Sequence, residues 1–332
     1  MLDEKRLASL FSIIFKGGNF FMISITGDNH LGIGNRNKTY YEKAFENFEY
    51  IINTIDSDVL IIAGDLFEFA RPWPDTYIRA KNILNKCKAS TIFILVGNHD
   101  KRLADGSCAA KVLEEKMTDT KKIIAVDEPM EYENILMVPH YHDMFDYIRE
   151  YNGNCDILVS HFSTSENHKY AGDISETDEM FNKFDLVFIA DTHDNIDKPK
   201  FVTTGATFYC DVDEMLNNTP SFIKLDNITK TYERIVFNEL RVKIIQSLDE
   251  ATDPNSIYAM VSDELSKLPN VFIKRPPKAK TDDITPIISS VSIVTSSSSI
   301  DEIIDSLINE PEINELMKKY IKEEIDIEKL IE

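Results

Sequence analysis

Asp58-Val59-Leu60-Ile61-Ile62-Ala63-Gly64-Asp65 is an apolar, β-branched run that stops on a small residue, a glycine and a carboxylate. It has no polar face, which is how a strand buried on both sides of a sheet reads. The arrangement recurs at four other run ends. Residues 20–26 lead into Gly27-Asp28-Asn29-His30, and residues 91–96 into Gly97-Asn98-His99-Asp100. Residues 156–160 lead into His161, and residues 185–190 into Asp191-Thr192-His193. The residue before each polar group is Gly, Gly, Gly, Ser or Ala. The chain has only 11 glycines in 332 residues, about half the usual ~7%, so three of them at run ends reflect placement. A small residue lets the backbone turn sharply and carry the next side chain toward a shared centre. In open α/β sheets, ligands bind beyond the carboxyl ends of the strands.

Working outward, residues 123–126 and 135–138 are further strand-like runs. Helix-like stretches lie at 40–55 and 76–87; in the first, Ala44, Phe48, Ile51, Ile52 and Ile55 recur at helical spacing. Buried runs alternating with amphipathic helices predict a layered α/β domain. The runs at 201–204, 207–210, 221–225 and 231–237 lie closer together and predict antiparallel hairpins on a second sheet. The composition changes after Phe237. Residues 274–286 carry Pro276, Pro277 and Pro286 and read as a loop or linker; 287–294 reads as one strand. Ser299 and Glu302 form a capping box for a helix carrying Ile303, Ile304, Leu307 and Ile308. A second helix, after Pro311, carries Ile313, Leu316, Met317 and Tyr320 at 3–4 spacing. The organisation expected is an extension at 1–19, a main domain at 20–237, a smaller α+β domain at 238–295 and a helical tail at 296–332. In the extension, Asp3 and Glu4 cancel Lys5 and Arg6 and no small-x-small site follows the apolar 7–15, so it reads as a local helix or an upstream addition rather than a targeting signal.

Hydrophobic residues make up 43% and charged residues 28%, a globular balance. No apolar run approaches the roughly 18 residues of a membrane span. Four scattered cysteines (Cys87, Cys108, Cys155, Cys210) fit a reducing, cytoplasmic or nucleoid-associated setting. With 36 Lys plus Arg against 57 Asp plus Glu, the net charge of −21 disfavours a chain that coats nucleic acid by its own field. The same charge suits a cation site, or a subunit that borrows a basic surface from a partner.

The ligand-type residues are carboxylates, imidazoles and one amide oxygen, a mixed set suited to Mn²⁺, Fe or Zn²⁺. They are too many for one ion. Two ions about 3.5–4 Å apart would form a clamp for in-line displacement at phosphorus. Any single Gly-Asp or Gly-Asn pair is ordinary turn chemistry, but five at strand ends point to a site. His140 and His142 sit two apart and read as a surface turn; His168 lies in a polar stretch and reads as solvated.

The series Asp28-x-His30, Gly64-Asp65, Gly97-Asn98-His99-Asp100, His161 and x-x-His193 resembles the calcineurin-like metallophosphoesterases. Within them, Gly27-Asp28-Asn29-His30-Leu31-Gly32 and Ala63-Gly64-Asp65-Leu66-Phe67, followed by Arg71-Pro72, are similar to the SbcD family of double-strand-break repair nuclease subunits. The resemblance spans about Met22 to Phe237. It implies a layered β-sandwich flanked by helices, two divalent ions, most often Mn²⁺, and hydrolysis of phosphodiester bonds in DNA. It implies further that Asp28, His30 and His193 hold the first ion, that Asp65 bridges, and that Asn98 and His161 hold the second with position 191. His99 would lie beside the scissile phosphate as acid or transition-state stabiliser. The smaller domain would position DNA, a homodimer would form near the first motifs, and the tail helices would grip an SbcC-type ATPase; packing on their own domain is the other reading of those helices.

One motif departs from the family. Gly-His-x-His is replaced by Ala190-Asp191-Thr192-His193. With Asp191 as a ligand, Asp28, Asp65 and Asp191 set −3 against +4 from two ions, and the centre becomes less electrophilic. Two rival functions therefore stand beside the nuclease: a metallophosphoesterase acting on nucleotides or phosphoproteins, and a binding subunit whose centre is weakened at Asp191.

Overall fold

The computed structural model describes residues 22–34, 37–101, 108–116, 121–166, 174–262, 266, 268 and 270–274. The extension at 1–19, the strand expected at 287–294 and the tail at 296–332 lie outside the described residues, as does His168.

The first apolar runs become β1 (Met22–Thr26), β2 (Val59–Ile62) and β3 (Thr91–Leu95). Helices α1 (Lys38–Thr54) and α2 (Pro74–Lys86) connect them. The Asn37 side chain caps α1 by accepting from the Tyr40 amide, and Pro74 opens α2, where a missing N–H costs nothing. Then follow β4 (Glu115–Lys116), β5 (Lys122–Val126), β6 (Met130–Tyr132), β7 (Ile135–Val138), α3 (Met144–Glu150), β8 (Ile157–His161), β9 (Leu186–Ala190) and β10 (Phe201–Thr203). The chain continues through α4 (Val212–Asn217), β11 (Ser221–Asp226), β12 (Thr231–Val236), β13 (Lys243–Ile244), β14 (Tyr258–Val261) and β15 (Val271–Lys274).

Two sheets stack face to face. One has the order β12-β11-β1-β2-β3-β5-β4, the other β10-β9-β8-β7-β6. Their inner faces bury Ile23, Ile25, Ile61, Phe93 and Leu95 against Met137, Ile157, Val159, Phe188 and Val202. The outer face of the first sheet packs on α1 and α2 through Leu60, Ile62, Ile94, Phe48, Ile52 and Leu84. The outer face of the second packs on α3 and Phe181 through Leu136, Leu158 and Ile189. Strands β1, β2, β3, β7, β8 and β9 are covered on both faces, which accounts for the missing polar alternation in their sequences. Each such side chain taken out of water contributes about 1.5–3 kcal/mol. This is the layered α/β sandwich the sequence predicts.

The later runs depart from expectation. The β11–β12 hairpin is antiparallel, but it joins the first sheet through β1 rather than the second. Phe222 packs toward the helices while Ile223 and Leu225 enter the space between the sheets, so β11 needs cover on both faces. Run 201–204 pairs with β9 in parallel. Run 207–210 is not a strand. Phe208 and Tyr209 instead pack with Tyr40, Met215, Val242, Ile257 and Ala259 into a separate core. That core is shared with the parallel sheet β13-β14-β15. Among the described residues, no helix is long and apolar enough to cross a membrane.

Candidate metal centre

Strands β1, β2 and β3 run parallel in one sheet, and β8 and β9 run parallel in the other. The residues just beyond their carboxyl ends meet at one rim of the sandwich. The first two loops are zipped together: the amides of Asn29 and His30 both donate to the Asp65 carbonyl, each at 2.9 Å, and the Asp28 amide donates to the Gly64 carbonyl at 3.2 Å. Gly64 takes φ +106°, and a β-carbon there would collide with the His161 ring. Gly97 sits against the Asp65 carboxylate with no room for a side chain. These two glycines are required by close approach.

The side chains form two adjoining clusters. In the first, His30 Nε2 and His193 Nε2 are 3.3 Å apart. Asp28 Oδ1 lies 3.7 Å from His193 Nε2, and Asp65 Oδ2 lies 3.8 Å from His30 Nε2. In the second, His161 Nε2 faces Asn98 Oδ1 at 2.8 Å, Asp65 Oδ2 at 3.4 Å and Asp191 Oδ1 at 3.8 Å. One oxygen of Asp65 therefore looks into both clusters. All seven ligand-type residues named from the sequence come together here, with His99 beside them: its ring lies edge-on to His30 at 4.9 Å.

Tautomers follow from the far side of each ring. His30 Nδ1 is 2.8 Å from Glu68 Oε2, His193 Nδ1 is 2.7 Å from Glu214 Oε1, and His161 Nδ1 is 3.0 Å from the Ala63 carbonyl. Those partners only accept, so each Nδ1 carries a proton, and in the neutral ring each Nε2 turns a lone pair inward. In the first cluster two lone pairs then face each other, and in the second a lone pair faces an amide oxygen. Such acceptor pairs repel unless a proton or a metal cation lies between them. This donor set fits divalent ions, with nitrogen and oxygen ligands and carboxylates oriented from behind.

The electrostatics agree. Burial opposes charge on His161, yet the Asp65 carboxylate pushes it up to about 10, helped by Asp28 and Asp191. His30 and His193 are also raised well above the usual imidazole value: burial works against charge, while Cys210 and Glu68 favour it at His30, and Asp28 leads at His193. Burial would lift Asp65 too, but His161 and His30 hold it below the usual carboxylate range. Burial raises Asp28, with His193 the main opposing charge. Positive charge is what this rim demands, and divalent ions supply it without titrating.

Asp191 is held from two sides. Its amide donates to both oxygens of Asp28 at 3.0 Å, and Ser163 Oγ donates to its Oδ2 at 2.5 Å. That leaves Oδ1 turned to His161. Several contributors escaped the sequence reading. Glu68 orients His30, and its carbonyl accepts from His99 Nδ1 at 3.0 Å. The Asp65-x-x-Glu68 spacing was the available signal. Glu214, Ser163 and Cys210 carry no spacing signal, because distant parts of the chain bring them in. His140 is exposed at a bend, as the sequence predicts, with its ring 6.2 Å from that of His161 and its Nδ1 3.4 Å from the His161 carbonyl. His142 remains fully outside and pairs with Asp143 at 2.5 Å.

Residues 21–195 match the calcineurin-like phosphoesterase family, more than half of the chain. The chain belongs to that family, whose members bind divalent metal ions and hydrolyse phosphoesters. Among solved structures it is similar to an archaeal phosphodiesterase at 17% identity and TM-score 0.34, over 65% of this chain and 99% of that one. It is similar to the nuclease MPE of Pseudomonas putida at 16% identity and TM-score 0.28, over 52% of this chain and 61% of that one. It is also similar to the purple acid phosphatase PPD1 of yellow lupin (Lupinus luteus) at 13% identity and TM-score 0.36, over 63% and 49%. The chain thus spans under two thirds of the nuclease and about half of the phosphatase. No curated protein matches significantly.

Proposed function

We propose that the chain is a DNA phosphodiesterase that works with two divalent ions, the nuclease subunit of an SbcCD-like complex. The observation that carries the hydrolytic part is the pair of facing acceptor contacts, His30 to His193 and His161 to Asn98, joined by one oxygen of Asp65. Asp28, His30 and His193 would hold one ion, Asn98, His161 and Asp191 the other, and Asp65 both. Ions bound there would supply Lewis acidity and acidify a water. The protein's own part falls to His99. Its Nδ1–H is tied to the Glu68 carbonyl and its amide donates to Asp65 Oδ1 at 2.9 Å, so Nε2 is the atom left to meet a phosphate or leaving oxygen. A protonated Nε2 would donate to the departing oxygen.

DNA as substrate rests on the SbcD-like motifs around Asp28 and Asp65, and on the loop that leaves Glu68. There Phe69 is 44% and Trp73 65% exposed, next to His99's anchor; exposed aromatic rings offer stacking to bases. With a net charge of −21, an SbcC-type ATPase would supply the basic surface for the duplex. A second reading has a specific observation behind it. A cleft of about 460 Å³ beside His193 is lined by Asp191, Asp194, Asp211, Asp213 and Glu214, which repels a polyanion running along that side and leaves a substrate small enough to reach the ions without lying in the cleft, such as a nucleotide, as the alternative.

The deciding assay incubates the purified chain and Mn²⁺ with linear duplex DNA, single-stranded DNA and bis(p-nitrophenyl) phosphate. Cleavage of DNA, reduced about a hundredfold or more in H99A with metal content unchanged, is expected. Hydrolysis of the small diester with DNA left intact moves the assignment to nucleotides or phosphoproteins. Fewer than two ions bound at saturating Mn²⁺, with activity gained in D191H, identifies a weakened binding subunit.

A further inference from the structure

We infer that Cys210 is a ligand of the ion held by Asp28, His30 and His193, and gives that position a sulfur donor. The inference rests on the two-ion reading above. The donor atoms of His30, His193 and Cys210 all lie within 4.8 Å of one another. The two imidazoles cannot relieve their 3.3 Å approach by turning, because Glu68 and Glu214 hold their outer nitrogens at 2.8 and 2.7 Å. A cation between them therefore lies within the reach of the thiol as well.

The thiol is placed there by the same group that places His193. Glu214 Oε1 accepts from His193 Nδ1, while its Oε2 accepts from the Cys210 backbone amide at 2.6 Å. One carboxylate in the first turn of α4 thus fixes an imidazole and a cysteine in mutual register. The Phe208 and Tyr209 rings, buried with Tyr40, anchor the chain just before it. The other cysteines have no such company: Cys87 is buried in the helix-side core and Cys155 in the outer core of the second sheet, with Cys108 partly buried beside the former.

On binding, the S–H bond breaks, a sulfur–metal bond forms and the proton leaves to solvent. The first position then offers two imidazoles, a carboxylate and a thiolate, with the Asp65 oxygen shared. Soft sulfur favours Zn²⁺, Co²⁺ or Fe²⁺ over Mn²⁺. With Asp28, Asp65, Asp191 and Cys210 all ligating, −4 from the protein balances +4 from two ions. The expected native metal therefore shifts away from the Mn²⁺ that the motifs alone suggest.

The test loads wild-type protein and C210S with Co²⁺ and with Zn²⁺. Expected in the wild type is a near-ultraviolet thiolate-to-cobalt absorption that C210S lacks while still binding two ions. Zn²⁺ affinity at one site should fall about tenfold or more in C210S, with Mn²⁺ affinity little changed. In wild-type protein alone, Zn²⁺ should slow iodoacetamide alkylation of Cys210, mapped by mass, by about tenfold or more; this arm decides should C210S fail to fold. Two bound ions with neither the absorption nor the protection overturn the role of Cys210 and leave the two-ion reading standing. No bound ion overturns both.

Discussion

Asp28, His30 and Asp65 hold left-handed backbone at φ 46–48°, and Asp191 at 83°. Such conformations cost non-glycine residues about 1–3 kcal/mol each, and they persist because the zipped loops leave the chain no other route. G97A tests this tolerance: a methyl at 97 meets the Asp65 carboxylate and amide. It is expected to destabilise the chain by more than about 3 kcal/mol and to weaken binding of both ions, read by chemical denaturation and by metal titration. S163A removes the donor on Asp191 Oδ2. One of two ions should then bind about tenfold more weakly, by calorimetry, since orienting partners usually matter that much. Asp100 gives a pH signature. It is fully buried and accepts from the amides of Phe67 at 3.0 Å and Gly97 at 3.1 Å. Burial, then the Asp65 charge, push it up to about 6. A carboxyl whose folded value is raised stabilises below its unfolded value near 4, and that contribution is lost as pH rises through about 6. In metal-free protein, the destabilisation by D100N should be about 1–3 kcal/mol at pH 4 and shrink by pH 7. A difference that grows with pH contradicts the assignment.

At the scale of elements, the two sheets are tied at one edge by Arg234 of β12. Its guanidinium, nearly buried, meets Asp197 at 3.0 and 2.8 Å, the Thr203 carbonyl at 2.7 Å and Asn195 Oδ1 at 3.1 Å. R234A removes the donor on the Thr203 carbonyl, while Asn195 Oδ1 keeps Ser221 Oγ and the half-exposed Asp197 turns to water; it should cost about 1–3 kcal/mol, lowering the melting temperature more than an exposed Arg→Ala change. The hairpin's place on the first sheet has a separate cause. Runs 221–225 and 231–237 were legible as strands and as a hairpin, but nothing local says which sheet edge receives them. The choice depends on Phe222 facing one core while Ile223 and Leu225 face another. Run 207–210 reads apolar and β-prone for a different reason: its rings fill a core shared with a sheet some fifty residues on, and packing outweighs strand preference.

For the whole molecule, the centre links metal to stability. Ions that bind only the folded chain add about 2.7 kcal/mol at a hundred times their dissociation constant. A chelator should therefore lower the melting temperature by several degrees, and readdition of Zn²⁺ or Mn²⁺ should restore it; an unchanged transition contradicts a bound centre. What the sequence determined by itself is the list of strands that end in Asp28, Asp65, Asn98, His161 and Asp191-x-His193, because burial on both faces and a sharp turn into a ligand leave marks in consecutive residues. Tertiary structure alone decided the rest: that one Asp65 oxygen serves both clusters, that Glu68 and Glu214 aim the imidazoles, and that Cys210 arrives beside them. Those relations join distant positions, 163 apart for His30 and His193 and 180 apart for His30 and Cys210. No local pattern encodes such a distance, which is set only when two sheets pack and bring their carboxyl ends to the same rim.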